Sequence, residues 1–263
     1  MNAHIARFAL LLAAGLTLGA GALAQSHPED AERLLQMANH TRAAQGLKTL
    51  AWDPALARAA YDHCQRMAAA GPISHQYAGE AELSERASHA GAHFGLIEEN
   101  VAVGASAERI HTAWMHSQGH RENLLNPRID RVGIAVIEVR GAIYAAADYS
   151  EGVLLLSREE AEAAIASLLS ARGYQLIDQL EDARAACEHD QARPLLKGER
   201  PGVIFRWEDA CLKHLPVELA KYLDSGSYQR AAVGNCPADG AGGPFTVYRI
   251  AVLLYPPAQT PRI

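Results

Sequence analysis

Residues 113–125 read AWMHSQGHRENLL and carry two histidines, His116 and His120, four positions apart. Residues at this spacing share a helix face, but Gly119 between them lowers the helix propensity. No Glu follows His116, so the H-E-x-x-H pattern of zinc proteases is absent. Seven of the chain's twelve histidines lie between His63 and His120. Because imidazole binds metals and moves protons near neutral pH, a functional site is expected in this part of the chain.

The composition around this stretch is that of an ordinary globular protein. The 263 residues are 49% hydrophobic and 21% charged, which excludes a disordered or collagen-like chain. The formal net charge is -6 at pH 7, so neither nucleic acid nor an anionic membrane surface is expected as a main partner. Small neutral or cationic ligands and protein partners remain open.

Residues 1–24 have the pattern of a secretory signal peptide. Arg7 precedes an uncharged run over residues 8–24, which ends in the A-x-A cleavage pattern Ala22-Leu23-Ala24. This run is shorter than the roughly 20 residues that a membrane-spanning helix needs, although a retained anchor is the alternative interpretation. After cleavage no membrane span is expected, and the protein is predicted to be secreted or periplasmic.

The rest of the chain is predicted to form two α+β domains. The first covers residues 28–150, where helical patterns come first and a strand pair over residues 132–149 comes last. The second, of unknown function, covers residues 157–255 and begins with a helix capping box. Residues 256–263 are rich in proline and are expected to fray.

Two short similarities connect the predicted domains. Residues 28–32 are similar to residues 158–162, and residues 129–133 are similar to residues 228–234. Helices rich in Ala and Glu resemble one another for simple compositional reasons, so an internal repeat stays an open alternative.

The four cysteines are expected to be used for a disulfide, since an extracytoplasmic compartment is oxidising. No C-x-x-C pair occurs, which argues against a zinc ribbon and a thioredoxin-type site. Three full pairings are open. We favour Cys187 with Cys236, because this pair closes a long loop and Cys64 has the position of a core residue on a helix.

Four stretches, taken in chain order, resemble a bacterial CAP domain, from the superfamily of cysteine-rich secretory proteins, antigen 5 and pathogenesis-related proteins. The stretches are residues 73–76 (ISHQ), 99–104 (ENVAVG), 113–125 and 131–134 (RVGI). The resemblance covers about residues 28–150. It implies an α-β-α sandwich, followed here by the smaller α+β domain.

The resemblance also implies a surface cleft lined by His75, Glu99 and His120. Ser117 stands where many members have a second acid. Two imidazoles and one carboxylate are the ligand set of an open zinc site, so zinc or another divalent cation, weakly held, is one interpretation. No cofactor is certain. A buried structural network is the main alternative, and catalysis is a third.

Four further residues of the motif are expected to hold structure rather than ligand. Trp114 and Asn100 are predicted to support the motif from the core, and Arg121 and Asn123 to bind backbone carbonyls. His63 lies on an otherwise apolar helix stripe and is predicted to be a core histidine.

The function predicted from these features is that of a non-catalytic secreted or periplasmic CAP protein. It would bind a small ligand, such as a lipid or another envelope component, or a protein partner through the cleft. The alternative is a hydrolase of the envelope or the extracellular space that uses the histidines and Glu99, with or without a metal. An adaptor that docks through residues 157–255 is a third hypothesis. The chain has no P-loop, dinucleotide fingerprint or G-x-S-x-G elbow.

Overall fold

A computed structural model describes residues 25–191, 195–237 and 243–258. The predicted signal peptide, residues 1–24, and the end of the predicted tail, residues 259–263, lie outside the described residues. Within the described ranges, no helix is both long enough and apolar enough to cross a lipid bilayer.

The first half of the chain is built on a five-stranded mixed sheet. Its strands are β1 (Gln25–Ser26), β2 (Ala51–Trp52), β3 (Phe94–Gly104), β4 (Arg131–Val139) and β5 (Ala142–Gly152). The strand order is β1-β4-β5-β3, and β2 pairs with β4 in parallel. The hairpin β4–β5 corresponds to the predicted strand pair, while β3 was not expected to be a strand.

Helices cover both faces of this sheet. They are α1 (Pro28–Ala44), α2 (Pro54–Ala70), α3 (Leu83–His89), α4 (Ala107–His116) and α5 (Gln118–Leu125). On β4, side chains alternate between the faces: Ile134 packs with α1 and α4, and Ala135 packs with α2. The result is the α-β-α sandwich that the sequence predicted.

The second half is built on a four-stranded sheet. Its strands are β6 (Gln175–Leu176), β7 (Val203–Asp209), β8 (Arg230–Pro237) and β9 (Tyr248–Tyr255), in the order β6-β8-β9-β7. Its helices are α6 (Arg158–Ala171), α7 (Leu180–Glu188) and α8 (Val217–Leu223). α6 and α8 pack on one face and α7 on the other, so this region is also α+β. The capping box of Ser157 and Glu160 begins α6 as predicted.

The two halves share one connectivity. In each, a helix leads to a short strand that pairs in parallel with the first strand of a hairpin, as β2 does with β4 and β6 with β8. A second helix follows, and then an edge strand, β3 or β7, pairs with the second hairpin strand. Among the described residues the second half has three helices where the first has five. The second half is therefore a reduced repeat of the topology of the first.

One packing device occurs in both halves. Gly133 on β4 lies so close to α2 that a Cβ atom would overlap the backbone at Ala57, the fourth residue of that helix. Gly234 on β8 lies almost as close to α7, where a Cβ atom would overlap the backbone at Ala183, again the fourth residue. The weak sequence similarity between residues 129–133 and 228–234 thus falls on corresponding strands.

The cysteines behave as the favoured pairing predicted. Cys187 on α7 and Cys236 on β8 form a disulfide, so the favoured pairing is confirmed. Cys64 is free and buried, and its thiol donates a hydrogen bond to the Tyr144 carbonyl. Cys211 is free and half-buried.

Replacing Gly133 with alanine should destabilise the protein by at least about 2 kcal/mol, because the added methyl group has to displace the α2 backbone. Gly119→Ala is the matched control: Gly119 has open space around it on α5, and alanine is the better helix former. Urea denaturation of both variants tests this. Equal stability of the two variants would contradict the close approach.

Candidate functional site

The four predicted cleft residues come from three parts of the first half. His75 lies in the loop between α2 and α3, Glu99 on β3 and His120 on α5. Ser117 is the single residue between α4 and α5. The structure joins His75 directly to Glu99 and brings His120 near His75.

An ion pair between His75 and Glu99 is the centre of the site. His75 Nδ1 donates to Glu99 Oε2 over 2.7 Å. The His75 side chain is 62% exposed, whereas that of Glu99 is only 3% exposed. The hydrogen bond from His75 to Glu99 raises the pKa of His75, and partial burial of the ring opposes this shift. A solvent-facing imidazole is therefore held in place by a buried carboxylate.

Arg86 on α3 fixes the other oxygen of this carboxylate. Its Nη2 donates to Glu99 Oε1, and its Nη1 donates to the His75 carbonyl over 3.1 Å. The Arg86 side chain is itself buried. Arg86 therefore links both members of the ion pair, although no motif in the sequence distinguished it from its polar neighbours.

His63 and Glu80 form a second buried pair beneath the first. His63 Nδ1 lies 2.8 Å from Glu80 Oε1, and Nε2 lies 2.9 Å from the Ser74 carbonyl oxygen. Both ring nitrogens are thus occupied. His63 Nε2 is also 3.8 Å from Glu99 Oε1, so the two pairs share one electrostatic environment.

His120 differs from His75 in its electrostatics. It is half-buried on α5, and burial lowers its pKa, to which the positive charge of the nearby His75 adds. One imidazole of the cleft thus favours the charged form and the other the neutral form.

The remaining motif residues hold the backbone around these side chains. Asn100 donates to the His120 carbonyl over 2.9 Å, and Asn123 donates to the Glu99 carbonyl over 3.1 Å. Arg121 donates to the Met115 carbonyl over 2.9 Å. Trp114 is buried, with its indole N–H directed at the Val101 carbonyl at 3.3 Å.

Ser117 serves as a junction between helices. Its backbone N–H donates to carbonyls at the end of α4, and its own carbonyl accepts from Arg121 in α5. In the part of the chain that the structure describes, its hydroxyl makes neither a cap hydrogen bond nor a bond to His120. A serine–histidine pair is therefore not formed.

Glu99 is poorly placed to act as a metal ligand. Glu99 already uses one oxygen for His75 and the other for Arg86. The guanidinium at that carboxylate would also repel a cation. Within the described ranges, no three or more His, Cys, Asp or Glu side chains are grouped so that they could hold a metal ion. A zinc or other divalent cation at His75, Glu99 and His120 therefore stays a prediction, with Glu99 as its least suitable ligand.

A buried acid beside Glu99 was not predicted from the sequence. Asp148 on β5 is the cross-strand partner of Glu99 and is fully buried. Neither of its carboxyl oxygens has a hydrogen-bond partner among the described residues. Burial raises the pKa of Asp148 well above its ordinary value, and the negative charge of Glu99 adds to this effect. A lone acid in the apolar strand AIYAAADYS was the available signal.

The His75 ion pair predicts a pH-dependent contribution to stability. A raised pKa means that protonated His75 favours the folded state, so the contribution is complete below the ordinary value of 6.5 and is lost as pH rises through the folded-state pKa. The stability advantage of the wild type over His75→Gln should therefore shrink with rising pH. Urea denaturation from about pH 5 to about pH 9 measures it. His116→Gln on the exposed side of α4 is the control, and the same slope in both variants would contradict the assignment.

The stability of the Asp148→Asn variant relative to the wild type should also depend on pH, because the folded state raises the pKa of an acid. Because the folded state raises the pKa of Asp148, the wild type loses stability relative to this variant as pH rises above 3.8, until the folded-state pKa is passed. The same denaturation series tests this, with the exposed Asp224→Asn as control. A wild type that gains on Asp148→Asn as pH rises would show that Asp148 is ionised and paired.

Part of the chain is similar in sequence to known proteins. Residues 35–149 match the sequence model of CAP, the Cysteine-rich secretory protein family. The uncharacterized protein YkwD of Bacillus subtilis is 31% identical over 108 residues, which are 41% of this chain and 42% of that protein. The uncharacterized membrane protein YlbC of the same organism is 28% identical over 106 residues, 40% of this chain and 31% of that protein. The chain thus spans less than half the length of these relatives.

Solved structures show likeness over a similar share of the chain. An outer surface protein from Borrelia burgdorferi has a TM-score of 0.46 and 21% identity, covering 49% of this chain and 99% of that one. An extracellular protein with an SCP domain from Bacillus anthracis has a TM-score of 0.43 and 26% identity, covering 47% of this chain and 40% of that one. The family match shows that residues 35–149 form a CAP domain of the cysteine-rich secretory protein family.

Proposed function

We propose that this CAP domain is a non-catalytic binding module that acts outside the cytoplasm. It takes a small polar ligand, or a polar group of a protein partner, in the cleft of His75, Glu99, Ser117 and His120. The observation that carries the proposal is the exposed His75 ring held by a buried, doubly occupied Glu99.

This arrangement suits recognition because it is rigid before a ligand arrives. Nδ1 of His75 is committed to Glu99, so Nε2 is the nitrogen left for a ligand. A cleft with one imidazole that favours its charged form and one that favours its neutral form offers both donors and an acceptor. Ligands with hydroxyl, carbonyl or carboxylate oxygens match it, and the polar head of an envelope lipid is one such group.

The same contacts argue against a nucleophilic enzyme. Among the residues that the structure describes, Ser117 has no bond to a base, and Arg86 holds the Glu99 oxygen that His75 does not. A general base and an activated nucleophile within hydrogen-bond reach are the usual requirement for acyl transfer. The proposal places the protein outside the cytoplasm on two supports, the signal-like residues 1–24 and the disulfide between Cys187 and Cys236.

A metal-free hydrolase is the second candidate, and one observation favours it. A carboxylate that orients a histidine whose other nitrogen faces solvent is the arrangement of a general base that activates water. Turnover of a bound ligand separates this candidate from simple binding.

The test compares His75→Ala and His120→Ala with His116→Ala, which removes an exposed imidazole that, among the described residues, is bonded to a carbonyl of its own helix alone. Melting temperatures are measured with vesicles of phosphatidylethanolamine and phosphatidylglycerol, and with soluble peptidoglycan fragments. We expect at least one probe to raise the melting temperature of the wild type and of His116→Ala by mass action, and not that of the cleft variants.

Mass spectrometry of the same samples decides between the two candidates. An unchanged probe supports a binding module, and a cleaved probe whose cleavage stops in His75→Ala supports the hydrolase. Equal shifts in all variants would place binding outside the cleft and overturn both.

A further inference from the structure

We propose that the CAP domain has a second site, a pocket between α2 and α3 that binds a small anion through its carboxylate or phosphate group. The pocket has a volume of about 490 Å³, a size suited to a small molecule. Its charged and titratable lining residues are Arg58, Asp62, Arg66, Glu80, Arg86 and His89. Neither His75 nor His120 is among them, so the pocket is distinct from the cleft.

The helices bring these side chains together from two sides. Arg58, Asp62 and Arg66 are four residues apart on α2 and therefore form one stripe. Arg86 and His89 are three residues apart on α3 and face them. Two helices thus supply three guanidinium groups to one concave surface.

The arginines of α2 carry the positive charge that a ligand can use. Of the three arginines that line the pocket, Arg86 is already paired with Glu99, which leaves Arg58 and Arg66 beside the carboxylates of Asp62 and Glu80. Glu80 is buried and already binds His63 and the Tyr77 N–H. Its contact with Arg66, at 3.6 Å, is longer than a hydrogen bond. The inner acid is therefore largely used by the protein itself.

Arg58 is an exposed arginine of the pocket that a ligand can reach. Its Nη2 donates to the Ala90 carbonyl over 2.7 Å, which anchors the side chain across the mouth of the pocket. Among the described residues no carboxylate forms an ion pair with it. Its charge is consequently held in position, with Asp62 one turn further along the same stripe of α2.

Arg86 on the inner wall also keeps unused hydrogen-bonding capacity. Two of its nitrogens bind Glu99 and backbone carbonyls, but its Nε is a buried donor that lacks an acceptor among the described residues. Planar guanidinium groups match the oxygens of carboxylates and phosphates in pairs, which a cation or an apolar ligand cannot use. The chemistry of the walls therefore selects an oxyanion.

The experiment is calorimetric titration of the protein at constant ionic strength with inorganic phosphate and, separately, with malonate. The pocket variant is Arg58→Gln/Arg66→Gln. The control is Arg33→Gln/Arg172→Gln, which removes two exposed arginines paired elsewhere, with Glu108 and Asp224, and so changes the net charge equally. We expect wild type and control to bind at least one anion, and the pocket variant to bind it at least about tenfold more weakly.

The two anions separate the sources of the chemistry: phosphate alone points to phosphorylated ligands and malonate alone to organic acids. Saturable binding that the pocket variant and the control lose equally would overturn the site, as would no saturable binding by the wild type. His75→Gln/His120→Gln should keep the affinity. If that variant loses it instead, the anion binds in the cleft and the pocket proposal is wrong.

Discussion

The close approach of α2 to the glycine of the hairpin is the constraint from which the site is built. Gly133 on β4, Asp148 on β5 and Glu99 on β3 are paired in register and form one row across the sheet. Because α2 lies directly on Gly133, it covers the row and buries the middle acid. Glu99 stands at the end of the row, where the loop with His75 and the helix with Arg86 reach it. A side chain at residue 133 would lift the helix that creates this environment.

The second half of the chain has the same close contact between a helix and a strand glycine, but it lacks residues that correspond to Asp148 and Glu99. Its corresponding row is Gly234 on β8, Ala251 on β9 and Arg206 on β7. The glycine is retained and so is the close helix, but the buried acid is an alanine and the edge acid is an arginine. Arg206 uses its guanidinium to bind the Ala186 and His189 carbonyls at the end of α7. The contact between helix and glycine therefore serves packing in both halves. Among the described residues, the pair of acids is found in this row in the first half alone.

The sequence predicted those features of the fold that depend on residues close together in the chain, such as helix caps and hairpins. Asp53 caps α2 by accepting from the N–H groups of Ala55 and Leu56, and the hairpin follows from alternating apolar residues. Strand β3 was missed because Glu98, Glu99 and Asn100 interrupt its apolar pattern at the edge of the sheet. Arg86 and Asp148 were missed because their roles arise only from neighbours distant in sequence. The disulfide was favoured on loop length and core position, which tertiary structure upheld.

Two acids in adjacent strands can be buried together only if one of them is neutral or well compensated. Arg86 and His75 each bind one oxygen of Glu99, so the negative charge is stabilised on Glu99. Asp148 has no such partner among the described residues, and its burial and the negative charge of Glu99 raise its pKa, which favours the neutral form. Both oxygens of the Glu99 carboxylate are thus bound within the protein, and Glu99 acts at the surface by orienting the His75 ring. In the proposed binding function, a ligand would therefore meet the His75 imidazole in the orientation that this network imposes.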